Sequence, residues 1–345
     1  MLRLQPAPVS PTPALESNGT APRPSLELSR VQFIQQEFAS FLTGFDSSQA
    51  VVRIDRFHWI HDRLFIDGWS PEQISQALRA TEIRGRFIAV SSGKGGVGKT
   101  TVALNLALAF AQCGRRTLLF DGDLGMANVH VYAGLNPAVT VLDVLDRRVA
   151  LSDAVVSGPA GLKLICGASG VARLASLDRR QLEELNGQLC RLATQYDVVV
   201  LDTGAGIGRE VLSLLTLADE IVVVATPNLA STLDAYGLIK AGYEARILGS
   251  FGILANLAKD QAEARVVVER LTTCAARFLQ MSVRNLGWLP RAPRVEAANQ
   301  SRRSVLESSP SSDFAKRLRT IAAGFLPGCG SHTSSAASKE ESAAA

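Results

Sequence analysis

The sequence lacks an uninterrupted apolar run of the roughly 20 residues that a membrane-spanning helix needs, so it predicts no transmembrane segment. It also lacks the apolar core of a secretory signal peptide, because prolines recur among small polar residues near the N-terminus. The five cysteines lack metal-ligand spacing and are odd in number, which favours reduced thiols in a cytoplasmic protein. Charge of one sign is not in large excess either, because the net charge is only +4. Such a charge does not by itself indicate a nucleic-acid partner.

The chain does contain enough apolar material for a large core, with 47% hydrophobic and 20% charged residues. A helical unit is predicted near the N-terminus because apolar residues recur there at helical spacing and Ser70 and Gln73 form a capping box. Composition divides the chain into a proline-rich segment predicted to be disordered (1–28), the small helical unit (29–83), an α/β domain (84–327) and a Ser/Ala-rich tail predicted to be disordered (328–345).

Beyond residue 86, apolar β-branched runs alternate with helix-prone segments. Strands are predicted over 87–90, 117–120, 162–165, 198–201, 221–225, 251–255 and 286–289. Helices are predicted over 102–111, 181–194, 209–217, 231–248 and 262–279. Continuous apolar strands linked by crossover helices predict an α/β fold with a doubly wound, mostly parallel sheet of the P-loop NTPase type. Ligands of such sheets bind at the carboxyl ends of the strands.

A glycine-rich loop lies between the first of these strands and the helix that follows. Gly93, Gly98, Lys99 and Thr100 satisfy the pattern Gly-x-x-x-x-Gly-Lys-Ser/Thr, whose backbone N–H groups surround the phosphates of a nucleoside triphosphate. Lys99 can reach the β and γ phosphates, and the Thr100 hydroxyl can ligate Mg²⁺. The predicted nucleotide-binding residues of the loop are Gly93, Lys94, Gly95, Gly96, Val97, Gly98, Lys99, Thr100 and Thr101.

Polar side chains follow three of the predicted strands. Asp121 and Asp123 come after the second strand, where one carboxylate can lie near Mg²⁺ and the other can hold a water for attack on the γ phosphate. A turn with capping aspartates is the alternative interpretation. Asp202 ends a buried strand, the Walker B arrangement, and is predicted to hold Mg²⁺. Asn256 is predicted to read adenine through its amide, or else to be a strand-end turn residue.

Lys94, directly after the first glycine, resembles the signature lysine of the deviant Walker A motif in the MinD/ParA family. Together with the motifs at 121–129, 202–207 and 232–240, it makes the chain similar, from about residue 86 to 326, to the FlhG/FleN branch, whose ATPases regulate flagellar number and placement. The resemblance implies a homodimer when ATP is bound and slow, Mg²⁺-dependent hydrolysis. By the same resemblance, Lys94, Lys99, Asp121 and Asp123 are the catalytic residues, and Thr100 and Asp202 serve the metal.

The resemblance also implies partners. These are a flagellar GTPase of the FlhF type, flagellar basal-body proteins and, by reversible contact, the inner face of the cell membrane. Segment 75–79 reads Ser-Gln-Ala-Leu-Arg and lacks the leading Asp of the helix with which family members stimulate that GTPase. Segment 314–326 is amphipathic and predicts either a membrane contact or a last helix packed on the sheet.

Two other functions fit the same residues. The chain can be a ParA-like DNA-binding ATPase, with residues 30–83 as the reader and Arg291, Arg294, Arg302 and Arg303 as a basic patch. It can also be an ATPase that positions another polar machine, such as a pilus or a cellulose-producing complex. That third function differs from the flagellar one only in its cargo.

Overall fold

A small three-stranded sheet and a larger eight-stranded sheet lie in the part of the chain that the computed structural model describes. That part comprises residues 26–27, 57–60, 63–66, 85–168, 170–171, 177–326 and 329. The small sheet contains β1 (Leu26–Glu27), β2 (Phe57–Ile60) and β3 (Arg63–Ile66). Strand β3 lies in the middle and pairs antiparallel with both of the others.

The small sheet corrects two predictions. Within the apolar run at 57–66, Phe57–Ile60 and Arg63–Ile66 are antiparallel strands and not helix, and Leu26–Glu27 form a strand inside the segment predicted to be disordered. Aromatic and β-branched residues favour strands over helices. The predicted helix around 70–79 and the other predicted disorder near the N-terminus lie outside the described residues.

The larger sheet confirms the doubly wound, mostly parallel architecture. Its strands are β4 (Arg86–Ser92), β5 (Thr117–Gly122), β6 (Val155–Ser157), β7 (Lys163–Ile165), β8 (Val198–Ala205), β9 (Glu220–Ala225), β10 (Ser250–Ala258) and β11 (Arg284–Pro290). They lie in the order β11-β10-β9-β4-β8-β5-β7-β6. Only β6 runs antiparallel to its neighbour among the described strands of this sheet. Its three residues are too few for the periodic signal that predicts a strand.

Helices cover both faces of this sheet. They are α1 (Lys99–Gln112), α2 (Val129–Tyr132), α3 (Val141–Leu145), α4 (Arg179–Ala193), α5 (Arg209–Leu215), α6 (Leu229–Glu244), α7 (Gln261–Leu279), α8 (Pro293–Gln300), α9 (Val305–Ser308) and α10 (Asp313–Phe325). Alternate residues of β4 enter different cores: Phe87 and Ala89 pack with buried residues of α4 to α7, whereas Ile88 and Val90 pack with those of α1, α9 and α10. The two cores therefore lie on opposite faces of the sheet.

Strand β4 lies where the progress of the chain across the sheet reverses. Its neighbours are β8 on one side and β9 on the other, and β5 lies beyond β8. The chain therefore moves one way from β4 to β5 and the opposite way from β8 to β9. Ligands of open α/β sheets bind at the carboxyl ends of the strands beside such a reversal. The glycine-rich loop follows β4 at this place.

Helix α10 contains most of segment 314–326, for which the sequence predicts either a membrane contact or packing on the sheet. It packs against the sheet: Phe314, Leu318 and Phe325 are at most 3% exposed and belong to the core that contains α1. Arg86, at the start of β4, donates from Nη1 to the carbonyl oxygen of Phe325 at 2.7 Å. In this structure the apolar face of α10 is thus covered by protein. No helix among the described residues is long and apolar enough to cross a membrane.

Leu318→Ala should lower the free energy of unfolding by about 2–5 kcal/mol, because it empties space in a fully buried part of the core. Urea denaturation of the nucleotide-free protein measures this change. Lys316→Ala on the exposed side of the same helix is the matched control and should change stability by less than about 0.5 kcal/mol. Equally small effects of the two substitutions would show that α10 does not pack in this way in solution.

Candidate nucleotide and magnesium site

The glycine-rich loop, residues 93–98, connects the buried strand β4 directly to helix α1. Gly96 and Gly98 have φ angles of 76° and 90°, which glycine adopts without the strain that a side chain introduces. Gly98 is the N-cap of α1. The unpaired N–H groups and the positive dipole end of α1 therefore lie beside the loop, an arrangement that suits an anion such as a phosphate group.

The two lysines of the loop differ in their surroundings. Lys99, the first residue of α1, is only 8% exposed. Lys94 is exposed, and its backbone carbonyl accepts a hydrogen bond of 2.6 Å from Ser92 Oγ. One ammonium group is thus held inside the site, and the other lies at its outer rim.

The side chain of Asn256 contacts the glycine-rich loop from inside the protein and is not open to solvent. It is 3% exposed, and its Nδ2 donates to the carbonyl oxygen of Val97 at 2.7 Å. The same nitrogen would lie 2.6 Å from a Cβ at Gly98. Oδ1 of Asn256 is buried and has no hydrogen-bond partner in the described part of the chain. The contact with Val97 gives Asn256 a role in positioning the loop, and its contact with adenine stays a prediction.

Two buried carboxylates lie side by side at the ends of β5 and β8, next to the loop. Asp121 and Asp202 are partners in the parallel pairing of these strands, and each is at most 1% exposed. Asp121 Oδ2 accepts a hydrogen bond of 3.1 Å from the backbone N–H of Val129. Oδ1 of Asp121 and both carboxylate oxygens of Asp202 are buried without a hydrogen-bond partner among the described residues.

Burial dominates the ionisation of this site. It raises the pKa of Asp202 to about 7, while the Thr100 hydroxyl and the Lys99 ammonium act in the opposite direction. Burial, and then the charge of Asp202, hold the pKa of Asp121 well above its usual range. The pKa of Lys99 is lowered by burial, although Asp202 and Asp123 favour its charged form. A cation bound between the carboxylates would offset the cost of burying them.

Thr203 belongs to the site but is not among the predicted residues. Its buried Oγ1 lies 2.9 Å from Ser91 Oγ and 3.2 Å from the carbonyl oxygen of Val90, within hydrogen-bonding distance of both. These contacts connect the end of β8, one residue after Asp202, to the end of β4. The sequence shows a threonine after the aspartate, but it does not show which strand that hydroxyl will meet.

A cleft of about 590 Å³ opens beside the loop. Besides loop residues 94–97, it is lined by Thr226, Pro227, Asn228, Ser231, Leu257, Lys259, Glu263 and Arg291. These residues lie at or after the carboxyl ends of β9, β10 and β11, so the cleft lies along the ends of three neighbouring strands. Arg291 is predicted only as part of a basic patch, and the other seven are not predicted at all. The cleft adjoins the glycine-rich loop and has room for the nucleoside part of a nucleotide.

Comparison with known proteins identifies the family. An AAA domain model matches residues 85–240. Antiactivator FleN of Pseudomonas aeruginosa is 39% identical over 237 residues, which cover 69% of this chain and 85% of FleN. The flagellum site-determining protein YlxH of Helicobacter pylori is 31% identical over 244 residues, which cover 69% of this chain and 80% of YlxH. The chain belongs to the MinD/ParA family of P-loop ATPases. The similarity to FleN and YlxH confirms its predicted place near the FlhG/FleN branch.

A solved MinD structure supports the same fold. The septum site-determining protein MinD of Pyrococcus horikoshii, complexed with Mg-ADP, has a TM-score of 0.60 and 25% identity. The match covers 70% of this chain and 96% of that protein. For a MinD/ParA protein, the unpartnered oxygens of Asp202 and Asp121 fit a magnesium ion, because Mg²⁺ prefers oxygen ligands such as carboxylates and waters. Asp202 and the Thr100 hydroxyl beside it are therefore the residues that fit the metal.

Gly93→Ala should lower both the melting temperature and the affinity for ATP, the affinity by roughly 10-fold. A Cβ at Gly93 would overlap the backbone carbonyl of Asp234 on α6, which cannot rotate away. Gly324→Ala, on α10 and away from the site, is the matched control, since no described atom would lie within 4 Å of its Cβ. Thermal unfolding and titration with a fluorescent ATP analogue measure the two effects. If both variants behave alike, the contact with α6 does not fix the loop.

Proposed function

We propose that this chain hydrolyses ATP slowly to ADP and phosphate, and that ATP joins two copies into a dimer that regulates the number or placement of flagella. The flagellar part of the proposal is supported by similarity to the antiactivator FleN and to the flagellum site-determining protein YlxH. The dimer is supported above all by one observation, the exposed Lys94 in a loop whose other lysine is buried. A cation at the rim can reach the phosphates of a nucleotide held by a second copy.

The surface around Lys94 is unusually apolar for an exposed surface. Four large apolar side chains there are between 55% and 68% exposed. They are Met126, Ile207, Leu229 and Leu233. Exposed apolar side chains on one face of a soluble protein are typical of an interaction site. We call these four residues the apolar rim.

Backbone contacts place the apolar rim beside the loop. The N–H of Gly206, next to Ile207, donates to the carbonyl oxygen of Ser92 at 2.9 Å. Leu233 precedes Asp234, whose carbonyl contacts Gly93. The N–H of Met126 lies 3.3 Å from Oδ1 of Asp123. Ile207 and Leu233 therefore lie beside the loop, and Leu229 follows Asn228, which lines the cleft next to it. A second copy that approached Lys94 would cover these side chains.

Hydrolysis within one copy uses the buried residues. Lys99 neutralises charge that develops on the transferred γ phosphate. Asp123 is partly exposed at the edge of the site and holds the attacking water, a role for which Asp121 is too deeply buried. The magnesium ion, when bound by Thr100 and Asp202, would neutralise the β and γ phosphates. The loop N–H groups and the start of α1 orient the triphosphate.

The switch requires that ATP favours the dimer more than ADP does. A ligand changes an association equilibrium only by its differential interaction with the two states. The γ phosphate supplies such a difference, because it is present in ATP and absent from ADP. Lys94 of a second copy pairs with it in the dimer and has no such partner in the monomer.

Sedimentation velocity tests this proposal directly. The wild-type chain should be monomeric with Mg-ADP and dimeric with Mg-ATP at micromolar concentration. Asp123→Ala should accumulate the dimer, because the ATP in it is not consumed. A dimer that forms equally with ADP, or a monomer in every nucleotide state, would contradict the switch. The flagellar role has its own test, which is whether deletion of the gene changes the number or position of flagella on the cell.

A ParA-like DNA-binding function is the second candidate. Arg291, Arg294, Arg302 and Arg303 are all exposed at the two ends of α8, and none forms an ion pair with a described residue. Such a cluster can contact the DNA backbone, and its binding would weaken steeply with salt. Retention of the ATP-bound protein on DNA at low salt, lost at high salt, would favour this function. Absence of DNA binding at low salt excludes it.

A further inference from the structure

Two cysteines that are far apart in the sequence are neighbours in the structure. Cys113 directly follows α1, and its Sγ donates to the carbonyl oxygen of Cys329 at 3.1 Å, across 216 positions of the chain. Cys329 is 4% exposed, Cys113 is partly buried, and both are free thiols. A disulfide needs Cβ atoms about 3.8 Å apart. Side-chain rotation and a small backbone shift can bring residues in such contact to that separation.

The surroundings of Cys113 keep it protonated. Burial raises its pKa to about 12, and the neighbouring Cys329 thiol acts in the same direction, while Arg115 and Arg319 act in the opposite direction. The thiolate is the nucleophile in thiol–disulfide exchange. We therefore expect this pair to react slowly with a small disulfide, and more slowly than the partly exposed thiol of Cys274 on α7.

The two cysteines belong to parts of the chain that matter for the nucleotide site. The opposite end of α1 carries Lys99, and Cys329 follows α10, which packs on the core that contains α1. Arg86 also holds the end of α10 through the Phe325 carbonyl. A covalent bond between the cysteines would connect the phosphate-binding helix to the segment that follows the last described helix.

We propose that Cys113 and Cys329 form a disulfide in the presence of a small-molecule disulfide such as oxidised glutathione, and that this bond locks α10 onto α1. One cysteine thiolate attacks the small disulfide, forming a mixed disulfide and releasing one small thiolate. The second cysteine thiolate then attacks the mixed disulfide and releases the other. The two protons lost by the cysteines end on the two released thiols, so the protein is oxidised by two electrons and the small disulfide is reduced.

The locked form should be more resistant to unfolding. A bond across 216 positions lowers the conformational entropy of the unfolded chain. This effect corresponds to a rise in melting temperature of roughly 5 °C or more. Amide hydrogen exchange within α10 should slow at the same time, because detachment of this helix would then require wider unfolding.

The test uses the full chain incubated with oxidised glutathione and then analysed by intact mass and by peptide mapping without reduction. The proposal predicts loss of the mass of two hydrogen atoms, a linked peptide that contains Cys113 and Cys329, and a melting temperature that dithiothreitol returns to its starting value. Cys113→Ser and Cys329→Ser should each abolish the linked peptide and the rise. Cys274→Ser should keep both.

Several results would overturn the proposal. Glutathione attached separately to Cys113 and Cys329 would show that the two sulfurs do not meet. So would a linked peptide that pairs either of them with another cysteine, or no reaction of the pair after Cys274 has been fully modified. Cys329→Ala provides a second variant, and its melting temperature in the reduced state shows whether the substitution itself disturbs the fold.

Discussion

Asp202→Asn should reduce the rate of Mg²⁺-dependent ATP hydrolysis by about 100-fold or more. Asp202 lies in β8 beside Lys99 and the Thr100 hydroxyl, and both of its carboxylate oxygens are buried. An amide has the same shape but no charge, and its nitrogen cannot ligate a cation. Release of phosphate from ATP at saturating magnesium measures the loss.

The same substitution should stabilise the nucleotide-free protein by roughly 1–3 kcal/mol at pH 8. The carboxylate of Asp202 opposes folding because the cost of its burial outweighs its contacts with Thr100 and Lys99, and Asn removes its charge without changing its volume. Such a gain in stability with a loss of function is expected where a site keeps unfavourable groups for its ligand. Urea denaturation without nucleotide or metal measures this gain.

Asp313→Asn, on the surface of α10, is the control for both measurements. It should leave hydrolysis unchanged and alter the free energy of unfolding by less than about 0.5 kcal/mol. Hydrolysis by Asp202→Asn at more than a tenth of the wild-type rate would remove Asp202 from the metal site. A loss of stability would show that the contacts of Asp202 with Thr100 and Lys99 outweigh the cost of burying its charge.

The sequence predicts the parts of the site that depend on neighbouring residues. The loop 93–98 and the aspartates at 121, 123 and 202 each follow an apolar strand, so strand, turn and polar residue are read from a single stretch. Because parallel strands bring their carboxyl ends to one edge, these separate stretches are also predicted to meet. The pairing of Asp121 with Asp202 across β5 and β8 agrees with that expectation.

The parts that the sequence does not predict depend on contacts between distant residues. Asn256 meets Val97 across 159 positions, and no local pattern around Asn256 marks that contact. The cleft is lined by residues at the ends of β9, β10 and β11 and in the first turns of α6 and α7, and these residues meet only in the folded chain. At 57–66, a short apolar run fits both a helix and a strand, and only the pairing of β2 with β3 decides between them.

Lys94→Ala should abolish ATP-dependent dimerisation, weakening the dimer by about 30-fold or more, while each monomer still binds ATP. Lys94 is exposed and forms no ion pair with a described residue, so the monomer loses little when it is removed. In the proposed dimer, its removal would leave charge of the partner's γ phosphate unpaired. Sedimentation velocity with Mg-ATP measures dimerisation, and titration with a fluorescent ATP analogue measures binding.

Lys99→Ala should lose ATP binding, which Lys94→Ala should keep, so the two variants separate the roles of the two lysines. Lys99 is buried beside Asp202 in its own site, so its loss should weaken nucleotide binding itself, and dimerisation would fail only as a consequence. Lys316→Ala, on the exposed side of α10, controls for the general loss of a positive charge. If Lys94→Ala still dimerises with ATP as the wild type does, the exposed lysine does not act across an interface. If it loses ATP binding as Lys99→Ala does, both lysines serve a single copy, and the apolar rim then needs another partner.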